Sequence, residues 1–208
     1  MEGSFIPNNG GTLTVRDSTI YNNTNSTEVG DSGFEGDGGA IYNGGGTLTV
    51  SDSTFISNVA ENNGGAIYNS GTLTVSNSTF SFNKIKNSGG LGFDPESGVC
   101  HDCGGGAIYN RGTLTVDSST FFRNRSQQGG GVLNFGTAKL ANTIVTESTG
   151  ANCAGPITDE GFNLSSDTSC GLSTTNNSLP NTDPSSAPSS PTTAVLQRPM
   201  PCYPVARP

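Results

Sequence analysis

One five-residue phrase recurs along this chain and constrains its fold more than anything else in it. Gly-Thr-Leu-Thr-Val stands at 11–15, 46–50, 71–75 and 112–116, and a looser copy, Gly-Thr-Ala-Lys-Leu, at 136–140. Each copy sits in a longer unit that reads GGAIYN, then GTLTV, then S(D/N)STF, then a closing Asn. Val15, Val50, Val75, Val116 and the equivalent Leu140 follow at intervals of 35, 25, 41 and 24 residues, so the basic period is about 25 and two units carry insertions. A repeat of this size means stacked units, none of which buries its apolar face alone.

The periodicity within a unit is two. In Thr47-Leu48-Thr49-Val50 the apolar pair shares one face and the threonines share the other. Phe55, Phe80 and Phe121 open a second short strand, and Ile41, Ile67 and Ile108 belong to a third. Gly pairs and Ser/Asn/Asp clusters separate the three, as turns require. Three short strands in about 25 residues describe one coil of a parallel β-helix, and about five coils are expected. A β-propeller blade needs roughly 40–45 residues, which the short intervals do not supply. Stacking also explains how a chain only 31% hydrophobic folds, because each coil buries a few residues against identical ones in its neighbours. Leu13, Leu48, Leu73 and Leu114 would form one inner ladder and Val15, Val50, Val75 and Val116 another.

Asn8, Asn43, Asn69 and Asn110 recur at one turn, and Asn23, Asn58, Asn83 and Asn124 at another. Stacked Asn side chains can hydrogen-bond along a ladder and cap turn backbone. Asp17, Asp52 and Asn77 fall in register two residues after the Val, where an Asx turn would use them. The chain carries a net charge of −8, and its nine Lys and Arg residues are spread along it without a cluster. That balance argues against nucleic acid and anionic membrane surfaces as partners.

Gly38–Ile41, Gly64–Ile67 and Gly105–Ile108 match the GGA(I/L/V) half of a known repeat, and Phe55–Asn58, Phe80–Asn83 and Phe121–Asn124 match its FxxN half. Together they resemble the repeats of polymorphic outer-membrane proteins and related bacterial β-helix surface proteins. The segment from Asn152-Cys153-Ala154-Gly155 through Gly161-Phe162-Asn163-Leu164 to Gly171 resembles the C-terminal region of such proteins that carry a choice-of-anchor sorting domain. The resemblance implies a right-handed parallel β-helix and a secreted or cell-surface setting in bacteria. It implies no activity and no cofactor.

The expected organisation is then a β-helix over 1–152 with inserts at 24–37 and 84–104, a Cys-bracketed segment over 153–184, and a disordered tail over 185–208. The chain begins inside a coil and shows no signal peptide, so it reads as a fragment of a larger secreted protein. A codon choice exists in which the tail, back-translated one base out of register, resembles the family's usual continuation, so the tail is read either as a frameshifted stretch or as an ordinary Pro/Ser linker.

In an oxidising exterior, Cys153 and Cys170 are expected to pair. Cys100-His101-Asp102-Cys103 crowds two thiols and the only His into four residues. Cys100, His101 and Cys103 are candidates for a zinc site with Asp102 or Asp94, although no second ligand pair is evident. Cys100 and Cys103 could instead pair locally.

Three functional readings follow. The first is a non-enzymatic structural or adhesive surface module, facing an unknown surface partner or glycan. Both inserts leave between the FxxN strand and the next GGAI, and loops on one side of a regular scaffold are where binding tends to live. The second is a carbohydrate-binding or polysaccharide-degrading β-helix. Its ligand face would be a stripe of Tyr42, Tyr68 and Tyr109, but no paired carboxylates or basic residue lines a strand face as a glycosidase or lyase requires. The third is ice binding through the Thr-x-Thr array at 12–14, 47–49, 72–74 and 113–115, which measured thermal hysteresis would reveal.

Overall fold

The computed structural model describes residues 5–26, 36–86 and 104–184, and the backbone of two short strands, Phe93–Asp94 and Val99–Cys100. Among the described residues the three strands of each unit become three parallel sheets of six strands. The first sheet stacks Ile6–Asn8, Ile41–Asn43, Ile67–Asn69, Ile108–Asn110, Val132–Asn134 and Cys153–Ala154. The second stacks Thr12–Arg16, Thr47–Ser51, Thr72–Ser76, Thr113–Asp117, Thr137–Ala141 and Thr158–Asp159. The third stacks Thr19–Tyr21, Thr54–Ile56, Thr79–Ser81, Thr120–Phe122, Ile144–Thr146 and Leu164–Ser165. Strand order along each sheet follows chain order, so the chain winds as a parallel β-helix.

The helix has a sixth coil where about five were expected. Sheets run without a break across the boundary expected at 152–153: Val132 pairs with Cys153, Lys139 with Thr158 and Ile144 with Leu164. A fourth, narrower sheet of Thr24–Asn25, Val59–Ala60 and Lys84–Ile85 follows the third at its corner. Single bridges from Lys84 to Arg125 and from Arg125 to Thr149 continue it. Thr24 and Lys84 are therefore coil residues, and the inserted stretches begin later than the sequence suggested. The second insert contains an antiparallel pair, Phe93–Asp94 against Val99–Cys100. The tail, 185–208, lies outside the described residues.

Equivalent residues align with one another in register, Leu48 on Leu73 on Leu114 and Phe55 on Phe80 on Phe121. Ile41, Ile67 and Ile108 from the first sheet close the same core, all fully buried. The Phe rings stack 4.9 Å apart and nearly parallel. Each interior ring thereby loses both faces to its neighbours, the arrangement that removes most apolar area from water.

Two turns set the corners. Asp17, Asp52, Asn77, Ser118 and Asn142 all adopt positive φ, between 48° and 51°, at the bend from the second sheet to the third. Asx residues tolerate this left-handed conformation, which accounts for the Asp and Asn repeating there. The Gly pair of GGAI answers two different needs. Gly64 has a φ of 62°, whereas a Cβ on Gly65 would stand 2.1 Å from the Gly106 carbonyl oxygen of the next coil. The first glycine supplies both the conformation and room, since a Cβ there would stand 2.2 Å from the Ile67 carbonyl oxygen, and the second supplies room.

Both Asn columns form continuous ladders. From Asn8 through Asn43, Asn69 and Asn110 to Asn134, each Nδ2 donates to the next Oδ1 at 2.6–2.8 Å. In the second column Asn23, Asn58 and Asn83 each donate both Nδ2 and backbone N–H to the Oδ1 of the following Asn. A parallel serine column joins them: the N–H groups of Ser18, Ser53 and Ser78 donate to the Oγ atoms of Ser53, Ser78 and Ser119. Turn polar groups that would be buried unpaired are satisfied coil by coil.

Candidate functional site

The outer surfaces of the coils differ sharply in what they offer a partner. On the first sheet, Tyr42, Tyr68 and Tyr109 point away from the main core, on the side opposite Ile41, Ile67 and Ile108. They are not an open stripe. Their exposures are 8%, 8% and 2%, and they form a second apolar cluster with Leu133, flanked by Phe5 and Ala154. The rings stack at 4.9 and 5.2 Å with interplanar angles of 7° and 10°. Stacking at coil spacing covers the very ring faces on which a sugar would lie, so the anticipated ligand face is a packing ladder. Burial, followed by the charges of Tyr68 and Asp37, pushes the Tyr42 phenol up to about 12.

The second sheet is the opposite case. Thr12, Thr47, Thr72, Thr113 and Thr137 form one exposed column in register, and Thr14, the half-buried Thr49, Thr74 and Thr115 form another, ending at Lys139. Both columns are outward-facing hydroxyl and methyl groups on long, regular strands.

The corner after the third sheet is where the coils become irregular. Here the first insert returns at Gly36 and Asp37, and the second returns at Gly104, two coils further on. Asn63, in the uninterrupted coil between them, touches both. Its Oδ1 accepts from the Gly104 N–H at 3.3 Å, and its Nδ2 donates to the Asp37 carboxylate at 2.9 Å. Asn25 Nδ2 donates to the Asp37 carbonyl at 2.7 Å, fixing the other side of that stem. Burial pushes the Asp37 carboxyl up to about 6, against the opposing pull of Asn63 and of the Arg111 charge.

The same corner gathers charge that the linear sequence scatters. Lys84, Lys86, Arg123 and Arg125, four of the nine Lys and Arg residues, lie on adjacent coils there. Lys86 is 3.6 Å from Glu61 and Arg123 is 2.7 Å from Glu147. Lys84 and Arg125 have no ion-pair partner among the described residues. A depression of about 620 Å³ opens between Lys84, Lys86, Arg125, Thr149 and Gly150. The expectation of basic residues without a cluster is thus corrected: residues 41 apart in sequence, Lys84 and Arg125, are neighbours across one coil step.

In the sixth coil Cys153 and Cys170 are joined by a disulfide with a Cα–Cα distance of 4.8 Å. Two carboxylates organise the surrounding loops. Burial opposes ionisation of Asp159, but hydrogen bonds from Ser173 N–H, Asn163, Ser178 and Gly161 N–H hold its carboxyl below the ordinary range. Asp167 is held down in the same way, against its burial, by Ser169, Asn152 N–H and Ser165. The side chains of Cys100, His101, Asp102 and Cys103 lie outside the described residues. Among the described ones no group of three His, Cys, Asp or Glu residues is placed to hold a metal ion.

Residues 52–70 match the model of the Chlamydia polymorphic membrane protein repeat. That stretch holds one FxxN half, Phe55–Asn58, and one GGA(I) half, Gly64–Ile67, joined by the coil connection that carries no insert. No curated protein and no solved structure matches the chain. Over that unit the chain is similar to the repeats of a bacterial outer-membrane surface family.

Proposed function

We propose that this chain is a non-enzymatic module of a secreted or cell-surface bacterial protein, a β-helical stalk whose inserts make the contacts that attach it to a partner. The observation that carries this reading is the placement of the two inserts. They leave one corner two coils apart, and Asn63 ties both returning stems to the coil between them. A rigid scaffold that anchors the stems of both inserts at one corner supplies what a binding surface needs, attachment points that are held in place before contact. The repeat similarity over 52–70 supports the surface setting. No catalytic residue and no cofactor is assigned.

The test is attachment by the isolated chain and by versions in which residues 27–35 and 87–103 are each replaced with a connection like that after Ala60. Beads coated with the unaltered chain are expected to adhere to cultured epithelial cells, and loss of either insert should weaken adhesion while the β-rich circular dichroism spectrum persists. Equal adhesion with and without both inserts, or none with the unaltered chain, would refute the reading.

A further inference from the structure

Phe82 stands out among the residues at its turn. The equivalent positions in the other coils hold Asn22, Ser57, Arg123 and Glu147, and all five adopt positive φ, 56° for Phe82. A bulky aromatic is disfavoured in this conformation. Phe82 is nevertheless 45% exposed, outside both apolar clusters. Its ring meets Phe122 edge-on at 5.7 Å, and the Arg123 guanidinium lies over the Phe122 ring at 4.7 Å. A polar residue, like Asn22 or Ser57 at the equivalent turns, would adopt this backbone with less strain. Strain and exposure retained together point to a contact made with something else.

The cations that follow it along the chain point to the chemistry of that contact, although Phe82 does not itself line the depression they surround. Two residues on from Phe82, Lys84 stands exposed next to Arg125, with the depression opening between them and Lys86. On a chain of net charge −8, this is a local concentration of cations, and its complement is an anion. We propose that this corner binds an acidic polysaccharide. The apolar C–H face of a sugar ring would lie on Phe82, and its carboxylate would sit between Lys84 and Arg125, the latter able to take it with two parallel hydrogen bonds. A nucleic acid fits less well, because its binding is built from many phosphate contacts and only two cations here lack an ion-pair partner among the described residues. The proposal names the ligand class for the surface role above and rests on that reading, but its residues belong to the coils and not to the inserts.

Affinity electrophoresis of the full chain through gels containing polygalacturonate, hyaluronate, neutral dextran or single-stranded DNA tests it. Retardation is expected in either acidic polysaccharide, decreasing with salt, and none in dextran. The double variant Lys84→Glu/Arg125→Glu should weaken retardation by about tenfold or more, the equivalent of losing one charge-assisted contact. Phe82→Asn relieves the turn, so it should melt at the same or a higher temperature while binding more weakly. That combination separates a ligand contact from a structural role. No retardation in either acidic polymer, equal retardation in dextran, tighter retention by DNA, or unchanged binding by the double variant would each overturn the proposal. Insert-dependent adhesion would survive any of those results, since both inserts remain intact in these variants.

Discussion

Asp37 shows how much one residue's surroundings decide. Asp17 and Asp52 stand in turns at positive φ, whereas Asp37 bridges to Asn63 where the first insert returns, and burial moves its carboxyl from 3.8 to about 6. The folded chain then holds this proton more tightly than the unfolded chain does. Below about pH 3 the group is largely protonated in both states. As pH rises from there towards 6, the unfolded state ionises first and gains, so stability falls, by up to about 3 kcal/mol for this group. Asp159 and Asp167 act in the opposite sense: their lowered values stabilise the fold above the ordinary carboxylate range, and that contribution is lost as pH falls through and below it. Asp37→Asn should keep the hydrogen bond from Asn63, raise stability at pH 7 and flatten the dependence between pH 4 and 6. Urea denaturation at several pH values reads this directly, and an unchanged pH profile would show that Asp37 is not the group responsible.

At the scale of the element, the Asn ladders do for the turns what the Leu, Val and Phe columns do for the core. Asn83 is fully buried; its Nδ2 donates to Phe55 O and Asn124 Oδ1, and its Oδ1 accepts from Asn58 N–H and Nδ2. Asn83→Ala would leave the Asn58 N–H and Nδ2 buried without their acceptor and take the side-chain donor from the Phe55 carbonyl. A loss of about 2–4 kcal/mol is expected, the cost of one or two unsatisfied buried groups. Asn23, in the first described coil and only partly buried, accepts nothing from a preceding Asn among the described residues. Asn23→Ala should therefore cost clearly less. Equal losses for the two variants by chemical denaturation would mean that the ladder does not share its load along the stack.

For the whole molecule, stability is close to a sum over coils and the contacts between neighbours. The sixth coil is the exception, because its strands are only two residues long and hydrogen-bonded loops replace a regular core ladder. The Cys153–Cys170 disulfide closes that coil across a sequence separation of 17. Loop-closure entropy for such a span corresponds to about 3 kcal/mol. Replacing both cysteines with Ser should lower the melting temperature and raise amide exchange over the segment from Asn152 to Asp183, while Leu73, Val75 and Phe80 remain protected. Uniform loss of protection along the stack would show instead that the coils unfold as a single unit.

The sequence by itself determined the coil, its register and the inward faces. GTLTV carries its own period of two, and identical residues at equal intervals can satisfy one another only by stacking. Those are local properties, and the ladders of Leu, Val, Phe and Asn were legible for that reason. Tertiary structure decided what became of the outward faces. Tyr42, Tyr68 and Tyr109 are as regular in sequence as the exposed threonines, but their rings are wide enough to cover one another at coil spacing and the threonines are not. Likewise, the sixth coil has lost the GTLTV phrase and keeps only the strand pairing, which no repeat could reveal. Lys84 and Arg125 became neighbours, and Asp37 and Gly104 came to share Asn63, because winding converts a separation of one period into a single strand spacing of about 4.8 Å. Proximity between coils is a property of the wound chain, and the inserts that lengthen two of the periods hide it from a linear reading.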